Sequence, residues 1–318
     1  MQWTQVNDKV TRCSYSLCNT EYTANCNLVF TFVQEVVPRL QLYDNHDLTA
    51  PKHWRIGMML STEPTKQIAF CHVPKASSST WMKAFGRMNH IKIRAGETDH
   101  KKVTSPNISI HATTYYDMKL LNELPQFKFI FVRHPFERLG SFFHMFYYQI
   151  FYPNKIQKEW KEHLIKHQQI LVDYEIRHMN KLEKDIKNET LFQRFADIVI
   201  HQVSTSNTIS QTHFWPYTEL CRACLVSYDF IGNVETFDDD IQKIADRFPK
   251  NQVLQEMRNS KRLNCRSNCG ANDFSSKYEG DYKQLKQETI VRLYEIYKND
   301  FEFGGYDYPH TYIDYGIP

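Results

Sequence analysis

Residues 68–88 of the chain read IAFCHVPKASSSTWMKAFGRM. The first six, 68–73, are largely apolar, as is typical of a short strand buried on both faces of a sheet. A loop of small polar residues follows over 74–80. Behind the loop, apolar residues recur at the i, i+3, i+4 and i+7 spacing of an amphipathic helix, namely Trp81, Ala84, Phe85 and Met88. The stretch therefore predicts a strand, a polar loop and a helix in succession.

The same unit recurs once further along the chain. Residues 127–132 form a second apolar run, which ends at Arg133-His134-Pro135. Because proline is tolerated in the first turn of a helix, we expect a helix to begin there. The apolar stripe of this helix is formed by Phe136, Leu139, Phe142, Phe143 and Phe146.

Further elements extend this alternation. A third strand is predicted at 228–231, followed by an acid-led helix over 236–248. The charge-rich residues 155–187 predict a solvated helical excursion, and apolar spacing around 192–199 and 285–297 indicates two more helices. Strands that alternate with helices predict an α/β fold with a mainly parallel central sheet flanked by helices.

The domain organisation follows from the same pattern. Residues 1–65 are polar and are interrupted by Pro38, Pro51 and Pro64, which predicts an irregular N-terminal segment. The α/β domain is expected over 66–310, with 311–318 as a tail.

The composition excludes several classes of protein. Of the 318 residues, 42% are hydrophobic and 14% aromatic, so the chain can bury a core and is not intrinsically disordered. A net charge of +3 is too small for the whole molecule to attract nucleic acid, so an anion must bind in a local pocket. No apolar run reaches the roughly 18 residues of a membrane span, and the first residues do not resemble a signal peptide. As written, the chain is expected to be soluble.

The eight cysteines leave several alternatives open. Their even count and clustering fit disulfides and an oxidising compartment. Two close pairs have spacings that also fit a four-thiolate zinc site: Cys221 with Cys224, and Cys265 with Cys269. Unpaired core thiols are the third alternative. Glycosylation sequons at Asn107 and Asn188 favour the secretory route, but two is near the number that chance gives in this length.

The loop over 74–80 has the properties of an anion site. A loop between a strand's carboxyl end and a helix's amino end presents unpaired N–H groups and the positive end of the helix dipole. Lys75 adds a cation, and hydroxyl donors follow at Ser77, Ser78, Ser79 and Thr80. The loop lacks the glycines of a nucleotide-triphosphate loop, which argues against a kinase. The same composition also fits a serine-rich cap that only starts the helix.

Arg133 and Ser141 mark a second candidate anion site. Arg133 follows a strand, so its guanidinium is expected at the same sheet edge as the first loop, and an arginine fork with a nearby hydroxyl suits a phosphate. Arg138 is expected to brace the loop or to pair with Glu137. A surface arginine and an ordinary helix serine are the alternative. Two such sites in one sheet indicate a ligand with two phosphate-like groups.

Four ordered blocks carry a family resemblance. They read HVPKASSSTW at 72–81, FVRHPFERLGS at 131–141, HFWP at 213–216 leading to YDFIGNVET at 228–236, and LYEIYKNDF at 293–301. In this order they resemble the Golgi carbohydrate sulfotransferases of the chondroitin 4-O-, dermatan 4-O- and HNK-1 type. The first block resembles the family's 5′-phosphosulfate loop, and the second resembles its 3′-phosphate segment.

The resemblance implies a P-loop-like sulfotransferase fold and a donor, 3′-phosphoadenosine-5′-phosphosulfate (PAPS), with no metal. The implied acceptor is a glycan hydroxyl, foremost the 4-O position of N-acetylgalactosamine in chondroitin, and no nucleic acid. The residues that it assigns to donor binding are Pro74, Lys75, Ala76, Ser77, Ser78, Ser79, Thr80, Arg133, His134, Pro135, Phe136, Glu137, Arg138, Leu139, Gly140 and Ser141. It also implies a glycoprotein in the Golgi lumen, normally anchored in the membrane.

Three departures from the family pattern stand out. Ser78 replaces the loop's usual cysteine and Thr80 its asparagine, and both changes keep hydrogen-bond donors. His134 replaces an acid between Arg133 and Pro135, which removes one partner for an arginine. The family is normally anchored by an N-terminal helix, and no such helix is evident in this sequence.

For catalysis, the resemblance implies that Lys75 and the loop amides stabilise the charge that develops on the leaving phosphate. His213 is the favoured general base, against the alternative of a buried, hydrogen-bonded histidine beside Trp215. The same chemistry on another glycan and a catalytically silent binding protein are the competing functions.

Overall fold

The computed structural model describes the chain over residues 56–60, 68–91, 109–112, 122, 127–148, 172–177, 179–205, 213–223, 225–259 and 278–307. The chain forms two compact units: the first comprises 1–133, 216–271 and 302–306, and the second 134–215, 272–301 and 307–318. The sequence predicts one domain over 66–310, and the boundary at residue 66 stays a prediction.

Five strands form one sheet in the first unit. They are β1 (Ile56–Leu60), β2 (Ile68–Cys71), β3 (Ser109–Ala112), β4 (Phe127–Val132) and β5 (Phe230–Asn233), in the order β3-β1-β2-β4-β5. Strands β2, β4 and β5 are parallel, with Cys71 opposite Ile130 and Val132 opposite Asn233. The predicted α/β fold with a parallel sheet core is confirmed.

The two strands at the other edge were not predicted. β1 pairs antiparallel with both β2 and β3. It lies within residues 1–65, which were expected to be irregular. A short segment such as Ile56–Leu60 carries no alternation of its own, and its backbone is satisfied by its two neighbours in the sheet.

The helices follow the predicted apolar stripes closely. In chain order they are α1 (Ser78–Met88), α2 (Pro135–Phe142), α3 (Glu183–Asn188), α4 (Leu191–Thr205), α5 (Tyr217–Leu220), α6 (Phe237–Arg247), α7 (Gln252–Asn259), α8 (Glu279–Tyr282) and α9 (Gln287–Gly304). A π-helical turn over Phe143–Tyr147 extends α2. Residues 172–177 are also helical, and residues 155–171 and 178 of the predicted excursion lie outside the described residues.

Aromatic rings form the core of the first unit. Trp81 of α1 is fully buried, and its ring centroid lies 4.5 Å from that of Phe129 and 5.2 Å from that of Phe131, both in β4. Helices α6 and α7 contribute Ile241 and Leu254 to the same cluster. This packing holds the amino end of α1 against the sheet.

The second unit has its own aromatic core. Phe136 of α2 stacks on Tyr282 at 4.8 Å, and the Tyr282 hydroxyl donates a hydrogen bond of 2.8 Å to the Phe136 carbonyl. Phe143 packs edge-on against Phe192 of α4 at 4.8 Å. The predicted stripes of α2 and α4 are therefore confirmed as core, except that the side chain of Phe146 lies outside the description.

Candidate active site

The loop after β2 has a backbone conformation that residues with a Cβ rarely adopt. Lys75 and Ser77 have φ values of 70° and 58°, both in the left-handed region. That region costs an ordinary residue roughly 1–2 kcal/mol. Such conformations persist only where the surroundings enforce them, and they concentrate at ligand-binding sites.

Buried neighbours and backbone hydrogen bonds hold this conformation. Pro74 and Ala76 are buried, and the Ala76 N–H donates to the Val73 carbonyl at 3.2 Å. The N–H groups of Thr80 and Trp81 both donate to the Ser77 carbonyl, at 3.0 and 3.2 Å. Over 74–77, the buried residues Pro74 and Ala76 therefore alternate with residues that are half-buried.

The half-buried residues supply donors for an anion. Lys75, Ser77, Ser78 and Ser79 are only half-buried. Ser77 occupies the N-cap position of α1, but its side chain makes no capping hydrogen bond. In the first turn of α1 the Thr80 N–H already donates to the Ser77 carbonyl, so the amides that can face a ligand are those of Ser78 and Ser79. This turn contains no acidic side chain. The loop can therefore hold an anion by its amides, its hydroxyls and the Lys75 ammonium, and serine capping does not account for Ser77.

The carboxyl ends of the three parallel strands bring further polar residues to the same edge of the sheet. Arg133 directly follows β4, and Glu235 follows β5 by two residues. Pairing of the two strands continues past their ends, because the Val234 N–H donates to the Val132 carbonyl at 2.9 Å. Arg133 is 9% exposed. Its placement at the edge where the β2 loop begins agrees with the sequence prediction.

Tyr306 contacts the residues that follow β5 at this edge, and it was not singled out from the sequence. Its hydroxyl donates to the Glu235 carboxylate at 2.8 Å, and the Asn233 amide donates to the Gly304 carbonyl at 3.0 Å. Burial and the Glu235 carboxylate raise the pKa of Tyr306 well above its usual range, and the Arg133 guanidinium opposes this rise. The phenol therefore stays a neutral donor to Glu235, in the electrostatic neighbourhood of Arg133.

In the segment after β4, most of the motif side chains are buried. Glu137 and Arg138 are 2% and 1% exposed. The Arg138 guanidinium donates to the Trp215 carbonyl at 2.8 Å, so Arg138 braces the 213–216 segment. His134 is the N-cap of α2, and its Nδ1 accepts a long hydrogen bond of 3.5 Å from the Glu137 N–H. The imidazole thus takes over the capping role that an acid at this position would have.

Gly140 and Ser141 differ in what surrounds them. A Cβ on Gly140 would lie 2.6 Å from the ring of Tyr278, so the glycine makes room for that ring. Ser141 is half-buried near the end of α2. Of the residues 134–141, only His134 and Ser141 are not buried.

His213, the predicted base, is half-buried in the second unit. Its ring stacks on Phe142 with a centroid distance of 5.1 Å and an interplanar angle of 18°. The next carbonyl, that of Phe214, accepts a hydrogen bond from the Tyr297 hydroxyl. Burial raises the pKa of Tyr297, which keeps that hydroxyl protonated as a donor. The role of His213 as a base stays a prediction.

Cys71 and Cys221 form a disulfide across 150 residues of sequence, with a Cα–Cα distance of 6.0 Å. Both residues are essentially inaccessible, at 1% and 0% exposed. Because Cys221 is bonded to Cys71, a four-thiolate zinc site that includes Cys221 is wrong. Cys224, Cys265 and Cys269 lie outside the described residues.

Among the described residues there is neither a metal-binding cluster nor a helix that could span a membrane. These residues contain no cluster of three or more histidine, cysteine or acidic side chains arranged to hold a metal ion. None of their helices is both long and apolar enough to cross a membrane.

Comparison with known proteins defines the class. The sequence profile of the sulfotransferase family matches residues 58–308, so the chain belongs to this family. Human carbohydrate sulfotransferase 8 is 22% identical over 87% of this chain and 61% of its own length. Mouse carbohydrate sulfotransferase 11 is 24% identical over 79% of the chain and 68% of its own length. The resemblance recognised in the sequence is confirmed.

Carbohydrate sulfotransferase 10 of Xenopus laevis is 26% identical, over 76% of this chain and 66% of its own length. The chain thus spans about three-fifths to two-thirds of the curated relatives that it matches. No solved structure matches the chain significantly.

Proposed function

We propose that this protein is a carbohydrate sulfotransferase that moves a sulfuryl group from PAPS to a glycan hydroxyl. The observation that carries the proposal is the strained loop over 74–80 at the carboxyl edge of the parallel strands, with Arg133 at the end of the next strand. Family membership and the relatives' names support it.

The donor's two anionic ends have different proposed partners. Lys75, the hydroxyls of Ser77 to Thr80 and the amides of this loop bind the 5′-phosphosulfate. Arg133 binds the 3′-phosphate, and the family motif is the reason for assigning the Ser141 hydroxyl to the same group. Arg138 and Glu137 act by supporting the fold, because both are buried.

The transfer itself follows from this assignment. The acceptor oxygen attacks sulfur in line, and a new oxygen–sulfur bond forms as the bond from sulfur to the phosphate oxygen breaks. The electron pair of that bond leaves on adenosine 3′,5′-bisphosphate, where Lys75 and the loop amides stabilise the developing charge. The hydroxyl proton passes to His213, acting as general base.

The proposed acceptor is the 4-hydroxyl of N-acetylgalactosamine in chondroitin, and the proposed compartment is the Golgi lumen. The buried Cys71–Cys221 disulfide favours an oxidising compartment. Membrane association and glycosylation belong to the same proposal. Another glycan acceptor is the second candidate, since the relatives include sulfotransferases 8, 10 and 11 at similar identity.

The test is transfer of radiolabelled sulfate from PAPS to a panel of desulfated glycans. Lys75→Ala should lower kcat by about 10²–10³-fold, because it removes one stabilising group from the transition state. Arg133→Ala should weaken binding of adenosine 3′,5′-bisphosphate by about 10–100-fold, but should leave affinity for the analogue without the 3′-phosphate unchanged.

Lys83→Ala and Arg292→Ala are the matched controls. Lys83 lies on α1, beyond the loop residues 74–80, and Arg292 is exposed on α9. Both variants should therefore retain full transfer. His213→Ala should abolish turnover and leave donor binding intact. If the protein bound adenosine 3′,5′-bisphosphate but transferred sulfate to no glycan, the proposed enzyme would be rejected in favour of a catalytically silent binding protein.

A further inference from the structure

The sequon Asn188-Glu189-Thr190 joins helices α3 and α4 in the second unit. Asn188 is the last residue of α3 and is exposed, and Thr190 directly precedes Leu191, the first residue of α4. Within the described part of the chain, no hydrogen bond or ion pair engages the Asn188 side chain. The acceptor side chain of the sequon is therefore exposed, and no contact among the described residues occupies it.

Thr190, by contrast, has a structural role. Its hydroxyl accepts a hydrogen bond of 3.2 Å from the Gln193 N–H, and its carbonyl accepts one of 3.1 Å from the Arg194 N–H. These are the bonds of an N-cap residue, for which serine and aspartate are good substitutes. The threonine thus has a sufficient reason to be there without any glycan, and a test has to separate the two roles.

Glu189, the middle residue, is held by ion pairs. Its carboxylate lies 2.5 Å from the Lys181 ammonium and 3.8 Å from that of Lys286. Lys181 also pairs with Asp197 of α4 at 2.6 Å. These ion pairs tie the connection to the start of α4, while the Asn188 side chain next to it is exposed among the described residues.

The second independent observation is the buried Cys71–Cys221 disulfide. Disulfides of this structural kind form in the secretory pathway, which is also where N-linked glycans are attached. Two observations therefore favour a sequon that is used over one that occurs by chance: its acceptor is exposed, and the disulfide indicates an oxidising compartment.

We propose that Asn188 carries an N-linked glycan, an inference that rests on the lumenal location proposed above. The donor class is an oligosaccharide joined to a polyprenyl lipid through a diphosphate. A bond forms between the Asn188 amide nitrogen and the anomeric carbon of the first sugar, and the bond from that carbon to the diphosphate oxygen breaks. The lipid diphosphate leaves with the electron pair, and the amide loses one proton.

The experiment directs the full chain into the secretory pathway of animal cells with a cleavable signal, in an Asn107→Gln background that removes the other sequon. Gel mobility before and after treatment with a glycan-removing amidase, and mass spectrometry of the peptide that contains residue 188, report the modification. The wild-type sequence at 188–190 should carry one glycan, and Asn188→Gln should carry none.

Three variants at residue 190 separate the sequon from the helix cap. Thr190→Ser keeps both and should keep the glycan and the melting temperature. Thr190→Asp keeps only the cap, so it should lose the glycan. After glycan removal from the wild-type protein, the two proteins should melt at the same temperature. Thr190→Ala loses both and should melt at a lower temperature.

Recovery of disulfide-bonded, secreted protein with an unmodified residue 188 would overturn the inference and leave Thr190 as a cap only. A sulfate-transfer assay on the same preparations keeps this outcome separate from the proposed activity. Transfer without a glycan rejects only the modification, and a glycan without transfer rejects only the enzyme.

Discussion

The loop after β2 and the segment after β4 look alike in sequence, since each leads from an apolar strand into an amphipathic helix, but they are built differently. The first contains two residues with left-handed backbone, Lys75 and Ser77. It begins three residues after a disulfide-bonded cysteine, Cys71. The second has an ordinary proline-led helix start, and packing and hydrogen bonds hold it.

The difference shows where ligand-binding capacity resides in each segment. In the first, one lysine and three serines are half-buried, so four of the seven residues over 74–80 can contact an anion. In the second, most side chains of the family motif are buried. The residues that we propose to contact the ligand there are Arg133 and Ser141. We therefore propose that fewer residues bind the ligand after β4 than the motif match alone implies.

The largest expected effect tests the covalent anchor of the first segment. The double variant Cys71→Ser/Cys221→Ser should lower the free energy of unfolding by about 2–4 kcal/mol, because the disulfide closes a long loop in the unfolded chain. Urea unfolding measures this change. The folded protein should resist mild reductant, since both cysteines are buried. If the double variant were as stable as wild type, the first segment would be held by packing, like the second.

The next effect tests the packing that holds the second segment. Gly140→Ala should destabilise the protein by about 1–3 kcal/mol, because the new methyl group would overlap the Tyr278 ring. Gly280→Ala is the matched control. A Cβ there meets nothing within 4 Å, so stability should stay the same or rise by up to about 1 kcal/mol. Equal melting temperatures for the two variants would contradict the assigned packing.

The smallest effect tests the strain in the first segment. Ser77→Gly should raise stability by up to about 1 kcal/mol, because glycine adopts the left-handed conformation without a steric penalty. Ser79→Gly, two residues further on and already helical, should lower stability by roughly 0.5–1 kcal/mol. Thermal unfolding of the pair decides the question: a loss of stability in both variants would mean that Ser77 is not strained.

Much of the fold was predictable because its signals are local. The strand runs at 68–73 and 127–132 correspond to β2 and β4, and the run at 228–231 overlaps β5, which begins two residues later than predicted. The stripe of Trp81, Phe85 and Met88 is buried as expected. β1 and β3 were missed because they are defined by antiparallel pairing, of β1 with β2 and of β3 with β1, which the sequence of either strand alone does not show.

For the candidate site, the sequence alone determined the residue types: an anion-binding loop around Lys75, an arginine at the next strand end, and the order of the family blocks. Only the tertiary structure decided which partners these residues have. The Cys71–Cys221 bond and the Glu235–Tyr306 hydrogen bond join residues 150 and 71 positions apart. The buried Arg138 donates to a carbonyl 77 positions away. Helical and strand periodicity reports on neighbours in sequence, whereas these contacts exist only once the folded chain has brought distant residues together.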